Sequence, residues 1–405
     1  MTPPARILFV FAASLTEARS MLLAFKEVEK DPRVSLKCLM AAHIANDARL
    51  SLTQKILQKQ NISYRTAGFD APLSAKRILA QYEPDVIVLG NDCAIINRFI
   101  VLEAAAQGVP TVLIQEGLMN YIPIVLSKRS RSWLLTHIST AFFLTRAYFS
   151  NGAFDEWVKA LVKTILCKPI GNRAYGFNKV SLFCVLSEFD AENFRKNGSA
   201  ARRILPTGIP GLTDVGRGSI YQPSTMRDYD FVLFTTCEDQ QFMTPEAQLA
   251  VYQDIVTAIR TVKPGARIGI KFHQLENTRK FCALTGIEVI TTLDEAFARG
   301  RVMVGTTTTV LLQALLTGFP VVSYLPEEHR YQWAESFLTD ACFKLGIQAT
   351  NKTSLTAILA RSLNGLEKEP HLVSFREFWK ERLQNSAVAI KNEIIRIHND
   401  HSLPA

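Results

Sequence analysis

Short runs of apolar residues, separated by helix-length segments, constrain this chain more than any other feature of it. Residues 7–12, 35–40, 64–67, 86–90 and 111–115 read as strands, with helices over 15–29, 45–60, 73–82 and 98–107 between them. The clearest of these runs are apolar at every residue, so both faces of the sheet must be covered by protein. Strands joined through helices lie parallel, which predicts a doubly wound α/β sheet. The rhythm returns at 182–186, with a helix over 189–197 and a strand over 203–206. Residues 216–228 are polar and turn-rich, as an interdomain linker would be. A second set follows, with strands at 231–235, 267–272, 288–291, 302–304 and 321–325 and helices at 245–262, 277–284 and 293–298. Residues 375–399 read as one long amphipathic helix. A length of 405 residues also favours two domains. The expected division is 1–215, 229–372 and a closing C-terminal segment, 373–405.

Residues 126–178 interrupt the alternation. They carry a basic run, Ser127-Lys128-Arg129-Ser130-Arg131, then Trp133, Phe142, Phe143, Tyr148, Phe149, Phe154 and Trp157 among Arg146, Lys159, Lys163 and Lys168. Two readings stay open. The mixture suits an interfacial helix pair on an anionic membrane surface, and it suits a core-facing helical hairpin whose lysines snorkel to water.

The formal net charge of +9 admits an acidic partner such as nucleotide phosphates, an anionic glycan or anionic lipid. The sequence carries no RNA- or DNA-binding signature, so nucleic acid is not expected. The seven cysteines (38, 93, 167, 184, 237, 282 and 342) form no C-x-x-C pair and no zinc-ligand spacing with histidine. Several sit in apolar strands, where a thiol behaves as a small hydrophobe, and reduced cytosolic thiols are expected. The first residues lead into a strand rather than a secretory h-region, and no membrane span is expected.

Residues 301–325 hold the most chemistry. A short strand runs into Gly305 and four hydroxyl residues, Thr306, Thr307, Thr308 and Thr309; a helix follows, then Gly318, Pro320 and a second strand. Hydroxyls and free backbone N–H groups at a helix N-terminus form a place for an anion such as a diphosphate. A plain helix cap uses the same residue type. The loops after the strands of the first domain, at 13–16, 91–97 and 115–121, lie where ligands bind in open α/β sheets.

These motifs, in this order, resemble the GT-B superfamily of nucleotide-sugar glycosyltransferases, with two Rossmann-like domains and a C-terminal closing helix. Leu186-Ser187-Glu188-Phe189, Asn197-Gly198 and Arg203-Ile204-Leu205-Pro206-Thr207-Gly208-Ile209-Pro210 are similar to the S-E, G and I-x-x-T-G-x-P elements of that superfamily. Lys271-Phe272-His273-Gln274 resembles the K-x-H-P signature of bacterial capsule transferases, including sialyl- and polysialyltransferases. Gly305–Thr309 resembles their S-S/T motif, and Gln115-Glu116-Gly117 their acidic-Gly element or the Q-H-G of related surface-carbohydrate proteins. The sequence departs from the pattern at Gln274, where the family has proline, and at Gln313, where many members have a glutamate that holds the ribose hydroxyls. Glutamine hydrogen-bonds a hydroxyl less strongly than a carboxylate does.

The resemblance implies an inverting, metal-independent glycosyltransferase that needs no cofactor. Its partners would be a nucleotide-sugar, with a CMP-sugar preferred, and a surface glycan or lipid-linked acceptor. His273 and Gly305–Thr309 would hold the leaving phosphate, and Gln313 the ribose. Glu116 or Asp92 would take the proton of the acceptor hydroxyl. A cytoplasmic protein, peripheral on the inner face of the membrane, follows from the same likeness. A UDP-sugar 2-epimerase-like isomerase and a non-catalytic glycan- or lipid-binding partner of a capsule assembly complex are the alternatives.

Overall fold

The computed structural model describes residues 3–12, 15–41, 48–67, 75–92, 95–117, 176, 178–212, 227–236, 244–273, 276–306, 308–330 and 337–402. Most of the segment 126–178, Thr307, Gln274 and the linker up to residue 226 lie outside the described residues. The chain divides into two compact units: one formed by the first part of the chain up to residue 210 together with 385–405, the other by 211–384.

The first unit is a parallel sheet of seven strands in the order β3-β2-β1-β4-β5-β6-β7. The strands are β1 (Ala5–Ala12), β2 (Val34–Ala41), β3 (Arg65–Ala67), β4 (Val86–Leu89), β5 (Thr111–Ile114), β6 (Leu182–Val185) and β7 (Ile204–Pro206). Helices α1 (Leu15–Glu29), α2 (Ala48–Lys59), α3 (Ala75–Tyr82), α4 (Ile95–Ala106) and α5 (Glu188–Lys196) connect them. Phe9 and Phe11 of β1 are fully buried between the strands and α1, which contributes Met21 and Phe25. Cys38 and Cys184 share that core, and burial pushes both thiols up to about 12. They are inert at neutral pH for want of thiolate.

The second unit is a parallel sheet of six strands in the order β10-β9-β8-β11-β12-β13. Its strands are β8 (Tyr229–Phe234), β9 (Ile268–Lys271), β10 (Glu288–Val289), β11 (Gly300–Gly305), β12 (Val321–Tyr324) and β13 (Gln348–Ala349). The helices are α6 (Pro245–Val262), α7 (Leu293–Arg299), α8 (Thr309–Thr317), α9 (Glu327–Arg330), α10 (Phe337–Lys344), α11 (Lys352–Leu363) and α12 (Pro370–Gln384). α6 covers the span expected from its pattern because Thr244 caps it and Pro245 opens it.

Two expectations are corrected. Residues 277–284 form only a short 3-10 turn, Thr278–Phe281, started by the Asn277 side chain and anchored by buried Phe281. The helix expected over 375–399 is two helices, α12 and α13 (Ser386–Ser402), with Asn385 between them. Each half follows its own core. α12 buries Leu372, Trp379 and Leu383 in the second unit, whereas α13 returns to the first. There Ile390, Ile394 and Ile397, spaced at helical intervals, join the cluster around Phe9.

Candidate functional site

In the second sheet the chain lays down β8 at the centre, steps outward through β9 and β10, then crosses back to place β11 on the other side of β8. The order reverses between β8 and β11. Such a switch point leaves a crevice beyond the carboxyl ends of the strands. The register aligns Phe234 of β8 with Lys271 of β9 and with Gly305 of β11. The residues just beyond that row leave three adjacent strands at one end of the sheet: Thr235 and Thr236, Phe272 and His273, and Thr306 with Thr308 beyond it.

Gly305 has a steric cause. A Cβ there would lie 2.8 Å from the Phe234 carbonyl oxygen, so a side chain would push β11 away from β8. Thr306 follows, almost fully buried, with its Oγ1 3.1 Å from Thr236 Oγ1, while Ser323 Oγ donates to the Thr306 carbonyl at 3.4 Å. Thr308 is the N-cap of α8, its Oγ1 accepting from the Val310 amide at 3.4 Å. Thr309 opens the helix, and Gln313, one turn on and on the same side, is 7% exposed. The cap reading thus holds for Thr308, and the same cap leaves the start of α8 at the switch point.

His273 stands two residues beyond β9 and remains exposed. Its main chain is clamped on both sides. The His273 amide donates to Thr235 Oγ1 at 2.9 Å, and its carbonyl accepts from the Glu276 amide at 3.0 Å. The surrounding protein depresses the imidazole pKa; Lys271 depresses it further and Glu276 opposes both. The ring is therefore neutral at neutral pH and offers an N–H rather than a full charge.

Beneath this loop runs a buried polar network that the sequence reading missed. Lys280 and Glu276 form an ion pair at 2.6 Å with side-chain exposures of 8% and 0%. Gln248, buried in α6, donates to the Thr236 carbonyl at 2.6 Å and to Glu276 Oε2 at 3.3 Å, and its own Oε1 accepts from Lys280. The network ties α6 and the 3-10 turn to the end of β8. Its signal in the sequence was the Glu276–Lys280 spacing of four, which is common on exposed helix faces and so passes unnoticed.

In the first unit, Asn91 and Glu116 follow β4 and β5, which are neighbours in the sheet. Asn91 Nδ2 donates to Glu116 Oε1 at 3.1 Å. Buried Gln115 fixes the loop, accepting from the Leu186 amide at 2.8 Å and donating to the Gly117 carbonyl at 2.7 Å. Asp92 is fully buried. Its carboxylate accepts from the Gly176 amide at 2.8 Å, the Asn178 amide at 3.2 Å and Asn178 Nδ2 at 3.0 Å. Burial raises its pKa and these hydrogen bonds oppose the rise. This is the geometry of a latch on Gly176 and Asn178, whereas Glu116 is only half-buried. Ser187 of the S-E element is the N-cap of α5, accepting from the Asp190 amide at 3.1 Å. Among the described residues no group of three or more His, Cys, Asp or Glu side chains could hold a metal ion, and no helix is long and apolar enough to cross a membrane.

No protein-family model matches this sequence, and no curated protein matches it. Solved structures do. A UDP-N-acetylglucosamine 2-epimerase aligns over 100% of this chain and 99% of its own at 12% identity, with a TM-score of 0.56. The Anabaena protein HepE, solved in complex with UDP, aligns over 98% and 100% at 14% identity and 0.56. The calicheamicin glycosyltransferase CalG4 aligns over 99% and 100% at 13% identity and 0.51. At such identities the likeness is one of fold. Two parallel-sheet α/β units with a C-terminal helix have the GT-B fold, which these structures share.

Proposed function

We propose that this protein is an inverting, metal-independent glycosyltransferase that moves a sugar from a nucleotide donor to a surface glycan or lipid-linked acceptor. One observation supports the reading: β9, which leads to His273, and β11, which leads to Thr306 and the Thr308 cap of α8, flank β8 with their carboxyl ends aligned at the switch point of the second sheet. As the bond between sugar and phosphate breaks, negative charge gathers on the departing phosphate. Preorganised N–H and O–H donors are worth most where charge develops. His273 supplies an imidazole N–H, the threonines their hydroxyls and amides, and Gln313 lies one turn further on for the ribose. Glu116 takes the proton of the acceptor hydroxyl. Asp92, sealed by its loop, is the weaker candidate for that role.

The motif order favours a CMP-sugar, and the UDP held by HepE makes UDP-sugars the second arm of the test. The likeness to a 2-epimerase supports the isomerase reading equally well at the level of fold. Incubation with CMP-, UDP- and GDP-sugars in EDTA separates the readings. A transferase releases nucleotide only when an acceptor is present. An epimerase converts a UDP-sugar with no acceptor. A protein that binds nucleotide and does neither is the non-catalytic partner. Peripheral association with an anionic inner membrane surface, through the basic aromatic segment, belongs to the same proposal, and co-sedimentation with anionic liposomes checks it.

Replacement of the base gives a sharper expectation. Glu116→Gln keeps an oxygen for Asn91 Nδ2 but loses proton acceptance, so turnover falls by about 100-fold or more. Nucleotide affinity stays unchanged, because the phosphate donors lie in the other unit. Steady-state kinetics beside calorimetric nucleotide titration measures both; normal turnover would return the role to Asp92.

A further inference from the structure

Lys271 is the last residue of β9 and takes no part in the proposed chemistry so far. Its ammonium curls toward the carboxyl end of the strand, donating to the Phe272 carbonyl at 2.6 Å. It lies close enough to His273 for its charge to act on the ring. The side chain is half-enclosed, and among the described residues no carboxylate is within ion-pair distance of it. Other lysines of this unit differ: Lys263 pairs with Asp230 at 2.6 Å, and Lys280 with Glu276 at 2.6 Å. Enclosing an ammonium without a counter-charge costs stability. Burial lowers the Lys271 pKa, and among the described residues no acid opposes it. A cost of this kind persists where an anion arrives to complete the site. Lys271 aligns with Phe234, and Phe234 with Gly305, so the charge stands one strand from the glycine turn at the switch point.

We propose that Lys271 is a second cationic ligand for the phosphate of the bound nucleotide, acting beside His273. This rests on the nucleotide-binding reading of the same crevice. Lys271 supplies the full positive charge that neutral His273 lacks, and the phosphate supplies the counter-charge that Lys271 lacks. The source of the phosphate, a nucleoside monophosphate or diphosphate, is separated by the ligands used.

The test compares the whole protein with Lys271→Met, which keeps the length of the stem and removes the charge. Calorimetric titrations use CMP, UDP, inorganic pyrophosphate, cytidine and uridine. Affinity for the phosphate-bearing ligand that the wild type prefers falls about tenfold or more, as for loss of a charge-assisted contact, while nucleoside affinity is unchanged. Two readouts independent of catalysis accompany it. The unliganded variant melts at the same or a higher temperature, because the enclosed charge is gone. The NMR titration of the His273 ring moves to higher pH, since among the described residues Lys271 is the charged group that depresses it and its charge is gone. A folded Lys271→Met protein that binds phosphate ligands as tightly as the wild type would overturn the proposal. So would a lower melting temperature with the His273 titration unmoved, which marks a structural lysine. If the wild type binds none of the phosphate ligands, the nucleotide-binding reading itself fails and this role fails with it.

Discussion

His273→Ala lowers turnover by about 100-fold or more, the usual cost of deleting one preorganised donor to developing charge. The fold should survive. The ring is exposed, and the loop is held by its main chain through Thr235 Oγ1 and the Glu276 amide, neither of which needs the imidazole. A circular dichroism melt beside steady-state kinetics separates the two effects. The pH profile adds a second check. The protein packed beside the ring and the charge of Lys271 hold the imidazole pKa below the ordinary histidine value, against the pull of Glu276, so the ring is neutral at neutral pH. A neutral N–H donor gives a rate that does not fall as pH rises through about 6.5, the unperturbed histidine value. A fall there would mean that the protonated ring is required. Stability carries the opposite sign. The unfolded chain takes up its proton first as pH drops, so His273 subtracts stability below its ordinary pKa and subtracts none above it. Full activity in folded His273→Ala would remove this residue from the mechanism.

The largest stability effect is expected at Glu276. Glu276→Ala takes from buried Lys280 the carboxylate it pairs with at 2.6 Å, and breaking a buried pair from one side costs about 3–5 kcal/mol. Gln248 loses a partner in the same step, because its Nε2 donates to Glu276 Oε2. The urea midpoint should fall accordingly. Removing both charges, as Glu276→Gln with Lys280→Met, should restore most of the loss, since the penalty belongs to a buried ammonium that has lost its paired carboxylate rather than to the missing attraction. If the single and double variants unfold at the same urea concentration, the pair is not the source of the effect.

Much of the architecture was legible in the sequence. A run such as residues 86–90 is apolar throughout, and only a strand covered on both faces uses such a run. Thr244-Pro245 announced the start of α6 through the chemistry of capping. Strand-end positions for His273, Glu116 and Gly305 followed from the same alternation. Less was legible where the signal is short or ambiguous. The edge strand β13 is two residues long, too short to show a period. The break at Asn385 lies inside a continuous amphipathic pattern, and it exists because α12 and α13 belong to different cores. Within the sites, residue types were visible but contacts were not. Asp92 and Glu116 both read as carboxylates after strands. Only the fold brings Gly176 and Asn178 onto the first and leaves the second half-exposed.

The sequence by itself determined the alternation, the parallel pairing and the residues at the strand ends, because periodicity and capping act over a few neighbouring positions. The tertiary structure alone decided that β8, β9 and β11 lie side by side with their ends aligned. It also decided that Gln248 reaches Glu276 across 28 residues, and that Lys271 is half-enclosed with no carboxylate within ion-pair distance among the described residues. Burial and long-range pairing come from the order of strands in the sheet, and no local pattern encodes that order.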